Sequence, residues 1–211
     1  MLLAAYVDLC KAFAFVNRDA LLRILDLRWV PPKLINLMSE LYSGTESAVR
    51  CGNTISDLFP VVTGVYQGCV LALTLFSTCM EWILGRMSDI SSYGVSFGNV
   101  KISDVDFADD AAIFAETLDI LLGVLEVLNR EPELLGLRVS WVKTEIQAFK
   151  HILDAALLSV SLCGEDVEVT ERFTYLGSDI HVSAGCEPEV NGCLGHARGV
   201  MDSLDHGVWH C

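Results

Sequence analysis

The sequence predicts a mixed domain, α+β or α/β, and three observations predict it. Short β-prone runs alternate with helix-length apolar stripes along the chain. Two apolar runs, 105–107 and 111–114, straddle the adjacent acids Asp109 and Asp110 and read as a hairpin. Hydrophobic residues make up 52% of the 211, enough for one good core and too many for a disordered chain.

The chain opens on a strand over 4–10. On it Tyr6, Asp8 and Cys10 share one face, and Val7 and Leu9 share the other. A charged Asp8 inside such a run is an edge residue or a ligand. Asn17 is an N-cap candidate with Asp19 in the first turn, and Leu21, Leu22 and Leu25 form a stripe, which predicts a helix over 17–28. Pro31-Pro32 ends that unit and opens a helix over 33–42, with Leu34, Leu37, Met38 and Leu41 turned inward. Gly52-Asn53 is a hairpin turn between strands at 47–51 and 54–58. A glycine-punctuated loop, 63–69, leads into a long apolar helix over 71–87. Short strands at 94–97 and 100–102 flank Gly98-Asn99.

Thr117 is a cap candidate for a helix carrying Leu118, Leu121, Leu122, Leu125 and Leu128. Pro132 interrupts that helix and Gly136 suits its C-terminal cap. Strands at 137–142 and 145–149 flank Lys143-Thr144. Beyond 150 the pattern weakens: 173–177 is strand-like, and 187–204 is a helix weakened by Gly192, Gly195 and Gly199. The chain thus divides into a first unit, 1–150, and a following segment, 151–211.

Fourteen basic against 28 acidic residues give a net charge of −14. That balance argues against unaided nucleic-acid binding, because affinity for a polyanion comes chiefly from Lys and Arg releasing counterions. The eight cysteines include no Cys-x-x-Cys pair and no zinc spacing, and read as mostly buried free thiols in a reducing compartment. The N-terminus is too short and too soon charged for a secretory signal, so an intracellular place is expected. Residues 58–80 carry no charge and are long enough to span a bilayer. Pro60, Gly64, Gln67 and Gly68 interrupt them, so a loop leading into a buried helix is the better reading.

The chemistry centres on Asp109-Asp110, read as the tight turn of its hairpin. Preferred two-residue turns are Asn-Gly or Asp-Gly, and two adjacent like charges repel. A hard divalent cation such as Mg²⁺ relieves that crowding. The bland alternative is a pair of ordinary solvated turn aspartates.

An ordered series of motifs resembles the reverse transcriptase domain of non-LTR (LINE-type) retrotransposons. Tyr6-Val7-Asp8-Leu9-Cys10-Lys11-Ala12-Phe13 looks like the first catalytic motif of the palm, and Gln67-Gly68-Cys69-Val70-Leu71 like the second. Phe107-Ala108-Asp109-Asp110 looks like the third. Gly136-Leu137 with Val139-Ser140 and Lys143-Thr144 looks like the fourth, and Phe173-Thr174-Tyr175-Leu176-Gly177 like the element that follows the palm. The order and spacing together make the likeness specific, and it covers residues from about 4 to about 180.

The resemblance implies an α+β palm, an antiparallel sheet backed by helices, with fingers and thumb incomplete. It implies RNA-directed DNA polymerisation on an RNA template paired to a DNA primer, with deoxynucleotide triphosphates as substrate. Asp8 and Asp109 would hold two Mg²⁺ ions (Mn²⁺ as substitute) with Asp110 beside them. Phe13 would exclude a 2′-hydroxyl, Gln67 and Gly68 would line the nucleotide pocket, and Lys143 would lie near the leaving phosphate.

Four departures stand out. Ala14 stands where the family usually has a second acid, Tyr66 where an Arg precedes Gln-Gly, and Leu73 where a Pro follows the second motif. Pro132 intrudes in a helix that should be continuous. These departures and the acidic balance lead us to expect a truncated domain, weakly active or inactive alone. A non-catalytic palm remnant binding metal or a partner is the alternative, and a membrane-associated protein is a weak third.

Overall fold

The computed structural model describes residues 2–88, 93–149, 158–183 and 185–204. β1 (Leu2–Val7) is an unbroken apolar run, and it lies at the centre of a six-stranded sheet because only a strand covered on both faces can bury every side chain. A short helix α1 (Ala12–Phe15) follows, then α2 (Arg18–Leu27) and α3 (Pro32–Tyr42). Two small ribbons come next, pairing β2 (Glu46–Ser47) with β5 (Phe59–Pro60) and β3 (Arg50–Cys51) with β4 (Thr54–Ile55). The long helix α4 (Val70–Ser88) leads to the ribbon of β6 (Val95–Phe97) and β7 (Val100–Ile102).

The hairpin of β8 (Asp104–Phe107) and β9 (Asp110–Ala115) then enters the sheet, and α5 (Leu118–Arg130) packs beneath it. β10 (Glu145–Phe149) closes the other side of β1. β11 (Ser159–Leu162) and β12 (Glu165–Val169) extend the sheet beyond β10, so chain from past residue 150 completes the same layer. β13 (Arg172–Tyr175) and β14 (Ser178–His181) form a separate hairpin, and α6 (Glu187–Leu204) ends the described chain.

The sheet order is β11-β12-β10-β1-β9-β8. Every neighbouring pair is antiparallel except β10–β12, which is parallel. One face carries Leu3, Ala5, Val7, Ile113 and Ala115 into the main core against Phe76, Met80, Leu121 and Leu125 of the helices. The opposite face carries only a small cluster, Ala4, Tyr6 and Ala112, covered by Phe173, Tyr175 and Ile180 of the β13–β14 hairpin. The sheet is therefore filled by helices below and covered at its middle by this hairpin above, and the site lies on that upper, open face where the cover ends, at exposed Asp110.

Local signals act as the sequence leads one to expect at the caps. The Asn17 side chain accepts from Ala20 N–H at 3.1 Å, and Thr117 accepts from Ile120 N–H at 3.4 Å. Pro132 does not break the fold: the chain tightens into a 3₁₀ turn, Glu131–Leu135, which needs fewer of the donors proline lacks. Gly136 ends that turn at φ 77, and a Cβ there would lie 2.4 Å from the Phe15 carbonyl oxygen, so only glycine fits.

Four expectations are corrected. The α3 stripe Leu34, Leu37 and Leu41 faces solvent, while Ile35, Met38 and Tyr42 turn inward. Two apolar stripes one residue apart run along this helix, and periodicity alone does not say which one meets the core. The cysteines are not mostly buried: of the seven described, all unpaired, only Cys79 is buried, because most others lie in ribbons, turns or α6. Cys211 falls outside the described residues. Residues 137–142 form no strand, only a single bridge from Leu9 to Val139. The turn of the acidic hairpin is Ala108-Asp109, and Asp110 is the first residue of β9, paired with Phe107.

The uncharged stretch 58–80 divides into β5, a loop and the first half of α4. By length and composition α4 could cross a membrane, but its Ala72, Leu75, Phe76, Cys79, Met80, Ile83, Leu84 and Met87 are buried in the core.

Candidate active site

Register brings the first acid to the third. Tyr6 pairs with Ala112 and Val7 with Ala111, so Asp8, the next residue past the end of β1, comes beside Asp110, the first residue of β9, and both line one cavity. Side chains alternate across a strand, so both carboxylates point to the open face occupied by Tyr6 and Ala112. Asp109 sits beside them in the turn, half-buried. The turn is strained, since Ala108 takes φ 56, a region where a Cβ is disfavoured. The acids feel one another. Burial, then Asp109, then Asp8 raise the Asp110 carboxyl above the ordinary carboxylate value.

Asp8 is held by its backbone. Ser140 N–H donates to Asp8 O at 2.8 Å, and Asp8 N–H points to Thr144 Oγ1 at 3.5 Å. Thr144 is buried, and its hydroxyl donates to Ser140 O at 2.9 Å. Cys10 N–H donates to Arg138 O at 2.8 Å, so the tight loop around 138–144 grips the chain on both sides of Asp8. The carboxylate itself is left partly unserved. Its Oδ2 is buried without a hydrogen bond, and the Lys143 ammonium lies 3.5 Å away.

These groups line a small cavity of about 70 Å³ whose walls are Tyr6, Asp8, Asp110, Lys143, Phe173 and Tyr175. Phe173 stacks on Tyr6 with ring centroids 4.0 Å apart and planes 10° from parallel. Burial pushes the Tyr6 phenol up to about 12, with Tyr175 adding to the shift. Burial, Asp110 and Asp106 raise the Tyr175 phenol in turn. Sequence reasoning placed Asp8, Asp110 and Lys143 here and missed Tyr6, Phe173 and Tyr175; Asp109, also expected, sits beside the cavity in its turn and not in its lining. The Phe-Thr-Tyr-Leu-Gly element was visible, but its docking over the acids is a long-range contact that no local pattern encodes.

Three other expected site residues stand apart from this cavity. Phe13 stacks on Phe76 at 4.5 Å and 23°, half-buried at the edge of the core. Its carbonyl accepts from Val65 N–H at 2.8 Å, which ties it to the loop leading to Gln67. Gln67 and Gly68 are exposed, with Gly68 at φ 90 and open space where a Cβ would be.

The loop is anchored by Arg18. Its guanidinium donates to the carbonyls of Tyr42, Val61, Thr63 and Gly64 and to Thr45 Oγ1. Gly64 permits the close approach: a Cβ there would lie 2.6 Å from Ala14 O. The larger cavity, about 500 Å³, surrounds this Arg18 junction and lies away from the acids. With its guanidinium committed to carbonyls, Arg18 there is a brace and not a ligand-binding cation.

Among the described residues no three His, Cys, Asp or Glu side chains gather into a ready metal shell. The donor set nonetheless suits a hard cation: two carboxylates line one cavity, a third is adjacent in the turn, and a buried Asp8 oxygen lacks a hydrogen bond. A two-ion phosphoryl site draws further oxygens from substrate, so an open protein shell is compatible with one.

Residues 3–180 match the family of the reverse transcriptase (RNA-dependent DNA polymerase). A retrovirus-related Pol polyprotein from the type-1 retrotransposable element R2 of Bradysia coprophila is 24% identical over 195 residues, covering 88% of this chain and 22% of that protein. The corresponding polyprotein from the type-2 element R2DM of Drosophila melanogaster is 29% identical over 113 residues, covering 54% of this chain and 10% of that one. The chain thus spans about a fifth or less of these relatives. Among solved structures, apo telomerase from Candida tropicalis truncated from its C-terminal domain superposes with a TM-score of 0.59 at 16% identity, over 87% of this chain and 35% of that one. Telomerase from Candida albicans gives 0.54 at 14% identity, over 87% and 31%. At such identities the structural likeness speaks for the fold alone.

Proposed function

The chain belongs to the reverse transcriptase family, among the domains of non-LTR retrotransposons, and from that membership we propose that it catalyses RNA-directed DNA polymerisation. The observation that carries the proposal is the register that brings Asp8 next to Asp110 on the open face, with a buried Asp8 oxygen that has no hydrogen bond. The substrates are a DNA primer on an RNA template and deoxynucleotide triphosphates. Asp8, Asp109 and Asp110 would hold two Mg²⁺ ions, or Mn²⁺ in their place; such ions activate the primer 3′-hydroxyl and steady the triphosphate.

The chain's own residues do the rest. Thr144 and Ser140 fix the Asp8 backbone, so its carboxylate has one direction to point. The Lys143 ammonium, which lies at Asp8 Oδ2 here, would neutralise or protonate the leaving pyrophosphate. Phe13 would bar a 2′-hydroxyl by bulk, its ring backed by Phe76. Gln67 and Gly68 would meet the nucleotide, their loop set by the Arg18 anchor. The unpaired thiols of the seven described cysteines suit a reducing, intracellular setting.

One observation favours a second reading, a palm remnant without turnover: Ala14, Tyr66 and Leu73 stand where the family usually has an acid, an Arg and a Pro. The test that separates them is primer extension on an RNA template with Mg²⁺, or with Mn²⁺, by the parent and by Asp110→Ala. Extension by the parent alone supports the polymerase. No extension by a folded parent overturns it.

A further inference from the structure

Gln147 lies on β10, fully buried at 0% exposed, and nothing in the catalytic reading uses it. A buried amide is costly unless its donors and acceptor are met, and leucine would fill the space without that cost. Here the amide is satisfied. Its Oε1 accepts from the Tyr6 hydroxyl at 2.9 Å. Its Nε2 donates to Glu171 O at 3.1 Å and to Ile180 O at 3.0 Å. Gln147 pairs with Ala4 of β1, so its side chain rises on the open face, under the β13–β14 hairpin.

One side chain therefore joins four segments: β1 through Tyr6, β10 through its own backbone, the entry to β13 at Glu171, and β14 at Ile180. The hairpin has other ties as well, among them Asp179 N–H to the Glu189 carboxylate of α6. The Arg172–Asp179 ion pair and the Thr174–Asp179 bond are internal to it. Its entry is also tied to β10, where Thr170 N–H donates to Ile146 O at 2.8 Å, and Tyr175 OH makes a longer bond, 3.5 Å, to Val105 O. What the hairpin brings to the site is Phe173, stacked on Tyr6, and Tyr175, with its ring 5.7 Å from the same ring. Those two rings are a wall of the cavity that holds Asp8, Asp110 and Lys143.

We propose that Gln147 is a positioning residue for the carboxylate site, fixing the β13–β14 hairpin so that Phe173 and Tyr175 stand as the wall beside Asp8 and Asp110. The role rests on the polymerase reading, since a wall matters only if substrate is held against it. It acts through the hairpin and touches none of the acids.

The test uses the full chain and two variants. Gln147→Met keeps length and removes all three hydrogen bonds, whereas Tyr6→Phe removes one bond and keeps the ring stack. Hydrogen exchange in Gln147→Met is expected to quicken about tenfold or more in residues 172–181, with β1 and β9 still protected. In Tyr6→Phe the same amides stay within about threefold of the parent, because both carbonyl bonds survive. In primer extension, Gln147→Met raises KM for the primer–template about tenfold, a change that a mere loss of folded chains would not produce. Unchanged hairpin exchange, faster exchange spread equally through β1 and β9, or a loosened hairpin with unchanged KM each overturns the positioning role. A parent that extends nothing removes the polymerase reading instead, so the two failures appear in different assays.

Discussion

Asp110 carries a consequence that does not depend on catalysis. Its carboxyl is raised by burial and by Asp109 and Asp8, so the folded state holds that proton more tightly than the unfolded chain does. The sign follows. Stability falls as pH rises from the ordinary carboxylate value through the raised folded value, and it stays lower above it. Asp110→Asn should therefore raise the melting temperature of the metal-free chain near pH 7, and the difference should vanish toward pH 3. Asp110 is exposed, so screening keeps the effect to about 1–3 °C. Thermal melts of the two chains across that range check it. At this scale the sequence was informative where chemistry is local: Asp8, Asp109 and Asp110 announce themselves as charges in apolar runs. Gln147 did not, since a lone glutamine in a strand reads as a surface residue until the hairpin that buries it is in place.

Hairpins and helices show where element-level reading succeeds and where it slips by one residue. The acidic hairpin was legible, but its turn fell on Ala108-Asp109 and not on the paired acids. Setting Asp110 in the strand gives it a partner in the ladder and turns it toward Asp8, while Ala108 accepts a positive φ for which it is poorly suited. Ala108→Gly should stabilise the chain by about 0.5–1 kcal/mol, measured by urea unfolding. The β13–β14 turn has the same character: Leu176 at φ 50 and Gly177 at φ 84 both sit in the region where Asn-Gly is preferred. Leu176→Asn should gain a similar amount, about 0.5–1 kcal/mol. In α3 the period was right and the face was wrong, because the stripes 34/37/41 and 35/38/42 are equally apolar and only packing chooses between them. The strands β11 and β12 went unread because their charged residues, such as Glu165, Asp166 and Glu168, mask an edge pairing made through the backbone.

The whole molecule is a one-sided sheet: helices fill one face, and the other is left to a hairpin and the acids. The filled face should dominate stability. Phe76 is fully buried among strand and helix side chains, so Phe76→Ala should cost about 3–5 kcal/mol in chemical denaturation. The net charge of −14 weighs against the proposed substrates, because a polyanion would meet few cations on the open face; Lys143 is the one basic residue lining the acid cavity among the described residues. On the proposed reading, cation binding would be the hinge between fold and function, since it would both neutralise the acids and prepare the face for phosphates. The most direct measurement is Mn²⁺ binding by the folded chain, followed through the magnetic resonance of free Mn²⁺, in the parent, Asp8→Asn, Asp110→Asn and the remote Asp57→Asn. If Asp8, Asp109 and Asp110 act as one site, affinity falls about tenfold or more in the first two variants and holds in Asp57→Asn. Equal binding in all four chains would place the cation elsewhere among the 28 acids and contradict the site.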